Sequence, residues 1–417
     1  METVFEFVFR VLGSSVFEFI SDDLDNVAKT SILFRSLIKT VDNCCIQELK
    51  LKKLNNLRNL RLLNSFNLFF LRGLKLKQLN LVYFNEDISS LRGMSLTTLK
   101  LYLFNKDLSP LKGMLLSELH LNSYEGDLLP IKNLPLIKLY LCSFTKDISL
   151  IKYLPLTTLS LNSFQGDLSP LRGMAITDLN LHSFNGDNIL ALKNMPLSKL
   201  VLDFFEGDLS PLEGMPLTEF VSYSFNGNIT PFKNMPIVYL ELGLFKKDLS
   251  PIEGITTLKI LKLKSYRGNI LPLKNLKLSH LDLRMLNGDI SPLKGMPLNT
   301  LCLDSFNGDI SPIKGIPLTE LNLSSFRGDI SSLAGMKIKE LDLSSFNGDL
   351  TPLKNMPLIY LSLCSYNGDL SPLGGIELKD LYLKKDFSGD LSFINEKTIT
   401  YQISRSYANI FNSKSYM

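Results

Sequence analysis

The feature that most constrains this chain is a sequence repeat with a period of about 20 residues. The stretch SFNGDISPIKGIPLTELNL (305–323) returns as SFRGDISSLAGMKIKELDL (325–343) and again as SFNGDLTPLKNMPLIYLSL (345–363). One acidic or amide residue marks each of sixteen copies, and these markers are 20 residues apart except for three intervals of 21. They are Asp87, Asp107, Asp127, Asp147, Asp167, Asp187, Asp208, Asn228, Asp248, Asn269, Asp289, Asp309, Asp329, Asp349, Asp369 and Asp390. A fixed period of this length predicts a solenoid, in which the units share one continuous core.

Each unit alternates apolar and polar residues in a way that predicts one short strand and one turn. The consensus is L-x-x-L-x-L-x-x-F-x-G-D-[LI]-x-P-[LI]-x-[GN]-[MI]-P. The spacing of Leu321 and Leu323 indicates a strand whose leucines point inward and whose intervening residues point outward. Asn307 and Gly308 then indicate a turn, in which we expect the glycine to adopt a positive φ.

A short helical turn is predicted to follow in the same unit. We expect Ser311 to be its N-cap, because a hydroxyl satisfies exposed N–H groups, and Pro312 to be its first residue. The position of Gly315 holds Gly in nine units and Asn in five, which indicates a left-handed residue at the end of the turn. The few residues between these caps favour a 3₁₀ turn over an α-helix.

These motifs resemble the leucine-rich repeat family, whose marks are the L-x-x-L-x-L core and a period of 20–29 residues. The stretch D-[LI]-S-P-[LI]-K-G is similar to the internalin-like bacterial subclass, and the resemblance covers roughly residues 50–395. It implies an α/β repeat fold, a curved right-handed solenoid with a parallel sheet on its concave side and 3₁₀ turns on its convex side. We assign residues 46–394 to this solenoid, as about 16–17 units.

One position departs from the family pattern. Most leucine-rich repeats place Asn shortly after L-x-L, where its side chain bonds the loop backbone, but here Phe or Tyr fills that place in fifteen of sixteen units and Leu286 fills the other. An aromatic ring buries a large area and stacks on its copy in the next unit, which contributes about 0.5–1.5 kcal/mol per contact beyond burial. We therefore predict a structural aromatic spine in place of the Asn ladder.

Composition and charge narrow the classes of partner. A net charge of +4 over 417 residues argues only weakly for nucleic acid, and five scattered cysteines without metal-ligand spacing indicate reduced thiols in an intracellular protein, cytoplasmic or nuclear. We expect no nucleic-acid partner, because acidic residues interrupt the outward strand positions. These residues are Asp203, Glu219, Glu241, Asp304, Glu320 and Glu340.

The sequence carries no signature of an enzyme, a cofactor site or a membrane span. It has no phosphate-binding loop, no H-E-x-x-H motif and no nucleophile elbow, and His120, His182 and His280 fall in separate units, too far apart to share a metal. The start METVFEFVFR is acidic, unlike a secretory signal, and no apolar run reaches the ~18 residues that suggest a membrane span. We therefore expect a non-enzymatic protein with no cofactor.

Binding by a solenoid is expected at the outward strand positions, which vary while the frame stays fixed. Two groups there are predicted to bind a protein partner on the concave face, since exposed aromatic and aliphatic residues often mark interfaces. The first group, named the apolar cluster, comprises Val201, Phe204, Val221, Tyr223, Tyr239 and Leu244. The second group, named the basic patch, comprises Lys262, Lys264 and Arg284.

The two ends of the chain do not repeat. Residues 1–45 show apolar residues at helical spacing, and we expect a small helical cap on the exposed end of the core. The same segment resembles an F-box, with Phe17 and Phe19 in the first element, Leu24 at the acidic-Leu turn and Phe34 as the late aromatic residue. That resemblance implies binding of a Skp-type adaptor. Residues 395–417 lose the leucine frame and are predicted to be a C-terminal cap or tail.

Together these features indicate a non-enzymatic scaffold that binds a protein partner on its concave face. If residues 1–45 are an F-box, the resemblance implies a substrate receptor of a ubiquitin ligase. The internalin-like turn suggests an alternative, a secreted or surface adhesin of the internalin type.

Overall fold

The computed structural model describes residues 58–63, 68–184, 186, 188–392 and 399–402. The chain divides into two compact units, Met1–Leu217 and Thr218–Met417. Both are built from the same coil of about 20 residues, which contains one short strand, one loop and one 3₁₀ turn. The helical cap or F-box predicted for residues 1–45 lies outside the described residues.

The first unit contains eight described strands that pair in parallel, each with the strand of the next coil. The strands are β1 (Asn59–Leu63), β2 (Gln78–Val82), β3 (Thr98–Tyr102), β4 (Glu118–Asn122), β5 (Lys138–Tyr140), β6 (Thr158–Ser160), β7 (Asp178–Asn180) and β8 (Lys199–Val201). The 3₁₀ turns are Leu68–Leu71, Ser89–Leu91, Ser109–Leu111, Leu129–Ile131, Ser149–Tyr153, Ser169–Leu171, Leu190–Leu192 and Ser210–Leu212. The repeat predicted from the sequence therefore sets the register of this sheet.

The second unit contains ten described strands, which also pair in parallel and in chain order. They are β9 (Glu219–Ser222), β10 (Tyr239–Leu242), β11 (Ile260–Lys262), β12 (His280–Asp282), β13 (Thr300–Cys302), β14 (Glu320–Asn322), β15 (Glu340–Asp342), β16 (Tyr360–Leu363), β17 (Asp380–Lys384) and β18 (Ile399–Gln402). Their 3₁₀ turns are Thr230–Phe232, Ser250–Gly254, Leu271–Leu273, Ser291–Leu293, Ser311–Ile313, Ser331–Leu333, Thr351–Leu353 and Ser371–Leu373. β18 lies within the stretch assigned to the C-terminal cap or tail.

The repeated apolar positions form the core of each unit. In one coil, Leu318, Leu321 and Leu323 are fully buried, and Ile310 and Ile313 of the adjoining 3₁₀ segment are buried beneath them. All helical elements in the described residues are 3₁₀ turns. The parallel sheet and the 3₁₀ turns predicted from the sequence are thus confirmed.

The aromatic spine is also confirmed. The rings are buried in every described coil from Phe84 to Tyr366, Leu286 is buried at the same position, and Phe387 is half-buried in the last coil. One pair of neighbouring rings stacks in each unit, with centroids 6.5 Å apart in the first unit and 6.3 Å apart in the second. These pairs are Phe104 with Tyr124 and Phe245 with Tyr266.

Tyrosines in the spine satisfy their hydroxyl groups locally. The hydroxyl of Tyr124 donates to the carbonyl oxygen of Asp127 at 3.1 Å, and that of Tyr366 donates to the carbonyl oxygen of Asp369 at 2.9 Å. A buried hydroxyl without a partner would cost free energy, so this bond explains why Tyr substitutes for Phe at the spine.

The glycine before the acidic residue serves a different purpose from the one predicted. None of the described glycines at this position has a positive φ. A Cβ at Gly348 would lie 2.7 Å from Cζ of Phe346, whereas a Cβ at Gly288 would lie 3.8 Å from the nearest atom of Leu286. The glycine therefore leaves room for the ring of its own coil.

A partial Asn ladder is present at the residue after the ring, in the coils that have Asn there. The side-chain oxygen of Asn287 accepts the backbone N–H of Asn307 at 3.2 Å, and that of Asn307 accepts the N–H of Arg327 at 2.9 Å. In the first unit, Asn85 accepts the N–H of Asn105 at 2.7 Å. The ring and the ladder therefore coexist, because they use neighbouring positions.

The 3₁₀ turn is capped by the acidic marker rather than by serine. Ser311 is the first residue of its turn, and the carboxylate of Asp309 accepts its N–H at 2.8 Å and its hydroxyl at 2.6 Å. The side-chain bond from Ser311, together with the backbone bond, lowers the pKa of Asp309. The predictions that Ser311 is the N-cap and that Pro312 is the first residue of the turn were therefore wrong, because the turn begins at Ser311 and Pro312 is its second residue. The left-handed Gly315 (φ +79°) is confirmed.

The residue before the ring adopts different backbone conformations in the two units. In the first unit Ser163 has a φ of +63°, and its N–H donates forward to the carbonyl of His182 in the next coil. In the second unit Ser325 is not left-handed, and its N–H donates back to the carbonyl of Asp304 in the preceding coil. Nothing in the repeat consensus distinguishes these two loops.

We expect Phe326→Asn to lower the free energy of unfolding by about 2–4 kcal/mol, because it removes the burial of one ring. Chemical denaturation monitored by circular dichroism measures this change. The matched control is Ser325→Asn in the same loop, where the side chain is exposed. Equal stability of the two variants would contradict a spine that stabilises the fold.

The Gly–ring contact gives a second prediction with an internal control. Gly348→Ala should destabilise the protein by about 1–3 kcal/mol, because the new methyl group overpacks the ring of Phe346. Gly288→Ala should stabilise it by about 0.4–1 kcal/mol, because Leu286 leaves space and alanine restricts the unfolded chain. Denaturation of both variants checks this, and changes of the same sign would refute the explanation.

Candidate functional site

The strand face, defined as the outward positions on and just after each strand, holds every residue of the predicted binding groups. Two members of the apolar cluster, Val201 and Phe204, lie in the first unit. The other four lie in the second unit, together with the whole basic patch. The residues predicted to bind an adaptor, namely Phe17, Phe19, Leu24 and Phe34, lie outside the described residues.

In the first unit, Phe204 is held at the surface by a histidine and an aspartate. Its side chain is half exposed, and its backbone is left-handed, with a φ of +61°. The ring meets the edge of His182, with ring centroids 6.4 Å apart. Nδ1 of His182 lies 2.5 Å from a carboxylate oxygen of the buried Asp203. The left-handed conformation is shared by the same position in other coils of this unit, so it is the exposure of this large ring that makes Phe204 a candidate contact residue.

In the second unit, the apolar cluster and the basic patch merge around Glu241. This carboxylate is buried, with one oxygen 2.6 Å from Nζ of Lys264 and the other 2.6 Å from the hydroxyl of Tyr239. Lys262 lies 4.0 Å from the second oxygen, and Val221 is the strand neighbour of Glu241. The sequence had indicated Glu241 only as an interruption of a basic surface, because its burial could not be read from the repeat.

The same network reaches two exposed apolar side chains. The ammonium group of Lys264 lies 5.7 Å from the ring centre of Tyr223, which is half exposed. The backbone N–H of Leu244 donates to the carbonyl oxygen of Tyr223 at 2.7 Å, which holds the exposed Leu244 nearby. We name Tyr223, Tyr239, Glu241, Leu244 and Lys264 the Glu241 site.

Electrostatics keep Glu241 ionised despite its burial. Burial alone would raise the pKa of Glu241, but the hydrogen bonds from Lys264 and Tyr239, with the charges of Lys264 and Lys262, outweigh it and lower the pKa. Arg284 is likewise paired, at 3.0 Å from Asp282 and 4.0 Å from Asp304. The basic patch is therefore a set of ion pairs and not an excess of positive charge.

The face becomes acidic just beyond these ion pairs. Burial, with the charges of Asp282 and Asp342, raises the pKa of Asp304 to about 6 although Arg284 opposes it. One carboxylate oxygen of Asp304 is buried and accepts no hydrogen bond within the described residues. Burial also raises the pKa of Asp342 and of the Cys302 thiol, so this thiol is not activated as a nucleophile.

Two further properties bear on function within the part of the chain that the structure describes. No group of three or more His, Cys, Asp or Glu side chains there is arranged to hold a metal ion. No helix in the same residues has the length and apolar character needed to cross a bilayer.

Comparison with known proteins identifies the fold. No family model and no curated protein matches the chain. A structure of the mouse RP105/MD-1 complex aligns at 18% identity over 76% of this chain and 63% of its own, with a TM-score of 0.55. A TLR13–ssRNA13 complex aligns at 20% identity over 84% of this chain and 62% of its own, with a TM-score of 0.52.

An internalin (inlF) from Listeria monocytogenes aligns at 20% identity over 86% of this chain and 95% of its own, with a TM-score of 0.46. At these identities the structural likeness establishes the fold alone. The fold is that of a leucine-rich-repeat solenoid, as the sequence motifs implied.

The raised pKa of Asp304 predicts a pH-dependent change in stability. Its folded-state pKa of about 6 lies above the unfolded value of about 3.9, so ionised Asp304 destabilises the protein at neutral pH, and this penalty disappears as the pH falls. Asp304→Asn should raise the free energy of unfolding by about 1–3 kcal/mol at pH 7.5 and leave it nearly unchanged at pH 4.

Denaturation at the two pH values measures this difference. Asp309→Asn is the control, because its carboxylate has a lowered pKa and should give no such gain at pH 7.5. An effect of Asp304→Asn that is the same at both pH values would show that the carboxyl of Asp304 is not perturbed.

Proposed function

We propose that this leucine-rich-repeat solenoid is a non-enzymatic scaffold that binds a protein partner on its strand face. The observation that carries the proposal is the Glu241 site, where exposed Tyr223 and Leu244 adjoin a buried carboxylate with its cations already paired. Aromatic anchors beside neutralised charge are typical of protein interfaces, because the partner then gains apolar contact without burying an unpaired charge.

The fold supports this proposal in a general way. Repeated strands present many variable outward side chains on a rigid frame, which suits an extended macromolecular surface. The fold neighbours were solved as complexes, one with MD-1 and one with ssRNA13. Those partners belong to those proteins, and the partner of this chain is proposed from its own surface.

The test compares proteins captured by the full chain with those captured by a variant carrying Tyr223→Ala and Leu244→Ala. A matched control is Leu271→Ala, which removes an equally exposed apolar side chain on the 3₁₀ side of the same unit. We expect at least one protein to be retained by the wild type and by the control but lost from the double variant. Identical capture by all three would rule out the Glu241 site as the interface.

We further propose, from the sequence resemblance, that residues 1–45 bind a Skp-type adaptor and make the protein a ubiquitin-ligase substrate receptor. Phe17, Phe19, Leu24 and Phe34 would supply the adaptor contacts. Isothermal titration of the full chain with a purified Skp-type adaptor tests this, using Phe17→Ala with Leu24→Ala as the variant. Binding lost in the variant at an unchanged melting temperature supports the receptor, and no binding by the wild type leaves residues 1–45 as a cap.

The internalin-like turn supports a second candidate function, that of a secreted or surface adhesin. Fractionation of the source cells distinguishes the two, because an adhesin is found outside the cell or at its surface, whereas a ligase receptor is found inside. If the protein is an adhesin, its strand face would bind a host or neighbouring surface protein.

A further inference from the structure

A row of cations runs along the first unit on the side opposite the strand face. The residue after the last buried apolar residue of each 3₁₀ segment is basic in seven successive coils, although the residue type changes between Arg and Lys. The seven are Arg72, Arg92, Lys112, Lys132, Lys152, Arg172 and Lys193. Six are exposed, Lys132 is half-buried, and none forms an ion pair within the described residues.

A groove of about 600 Å³ lies at the N-terminal end of this row. Its lining includes Arg72, Lys75 and Arg92, with hydroxyl groups from Ser90 and Ser95, and no carboxylate. A fourth cation is close, because Arg58 donates a hydrogen bond to the carbonyl oxygen of Lys75. Several cations and hydroxyl donors without an acid form a surface that suits a phosphate group.

Two exposed aromatic rings accompany the cations. The guanidinium of Arg72 lies 4.6 Å from the ring centre of Phe69, and the ammonium of Lys132 lies 4.3 Å from that of Tyr153. Both rings are more than half exposed. Exposed rings beside a line of cations are the arrangement that binds single-stranded nucleic acid, in which bases stack while the backbone is neutralised.

The acidic markers of the same coils do not occupy this row. They lie at the start of each 3₁₀ turn, where the carboxylate of Asp107, for example, accepts the N–H and the hydroxyl of Ser109. The cations lie at the other end of the turn. The hydrogen bonds from Ser109 are the main cause of the lowered pKa of Asp107, and the charge of Arg92 adds to it. The markers therefore reduce the local positive potential, so binding should be moderate and sensitive to salt.

We propose that this row, named the cation row, and its groove bind one strand of single-stranded RNA or DNA. A single file of cations matches one chain of phosphates, whereas a duplex presents two chains and a membrane presents a plane. The expectation of no nucleic-acid partner rested on the strand face, where acids interrupt the cations, and the cation row lies elsewhere on the coil. This site is independent of the proposed protein interface.

Fluorescence anisotropy with a labelled 20-nucleotide oligo(U), measured between 50 and 300 mM salt, tests the proposal on the full chain. The salt dependence of phosphate contacts is measurable over about this range of salt concentrations. The test variant combines Arg72→Ala, Lys75→Ala and Arg92→Ala. The control combines Lys274→Ala, Lys294→Ala and Lys314→Ala, which removes the same number of cations from the equivalent position in the second unit.

The test variant should bind at least about tenfold more weakly, and its salt slope should be smaller by about 2, since each lost phosphate contact accounts for about 0.7. The control should lose less than about twofold. Tyr153→Ala should weaken binding while Tyr153→Phe preserves it, because the phenyl ring still stacks. A variant carrying Arg72→Lys and Arg92→Lys keeps both positive charges and should bind as tightly as the wild type.

Three outcomes would overturn the proposal. One is no binding of oligo(U) at about 50 mM salt, a concentration at which the phosphate contacts of the cation row should give measurable binding. The second is an equal loss in the test and control variants, which would mean that only total charge matters. The third is tighter binding to phosphatidylserine vesicles or to a duplex of the same length, which would assign the row to a membrane or to double-stranded nucleic acid.

Discussion

The burial of one aromatic ring in nearly every described coil, with Leu286 as the aliphatic exception, is the interaction on which the rest of this structure depends. The ring fills the place where the family usually has Asn, and the neighbouring residues adapt to it. In the coils that have Asn after the ring, a partial ladder forms there, as Asn307 and its partner Arg327 show, and a glycine such as Gly348 leaves space for the ring. The spine thus supplies apolar burial and the shifted ladder supplies hydrogen bonds for the loop backbone.

This frame leaves each coil with two surfaces of different character. On the strand face of the second unit, charges are arranged in pairs, and Glu241 and Asp282 are buried beside the cations that neutralise them. On the opposite side of the first unit, the cations form a single row and make no ion pair within the described residues. The fold is common to both surfaces, so any difference in what they bind follows from the side chains at a few repeat positions.

Much of the fold could be predicted from the sequence, because the period, the L-x-L alternation and the Pro and Gly positions each reflect a local constraint. The prediction failed where several residue types can satisfy the same constraint. Both Ser311 and Asp309 can accept a hydrogen bond from the N–H groups that open the 3₁₀ turn, and the structure shows that the carboxylate of Asp309 does so. The burial of Glu241 and the perturbed carboxyl of Asp304 depend on neighbours one coil away. A consensus cannot show such contacts, since they arise only where adjacent units differ.

The spine is tested most directly through a tyrosine that belongs to it. Burial, with the charges of Asp107 and Asp127, raises the pKa of Tyr124 to about 12. Carbon-13 NMR of tyrosine labelled at Cζ, with the signal assigned by Tyr124→Phe, measures this value in the folded protein. A pKa raised well above the ordinary value of about 10 is the result that a buried ring predicts, whereas an unshifted pKa would contradict the burial of Tyr124 in the spine.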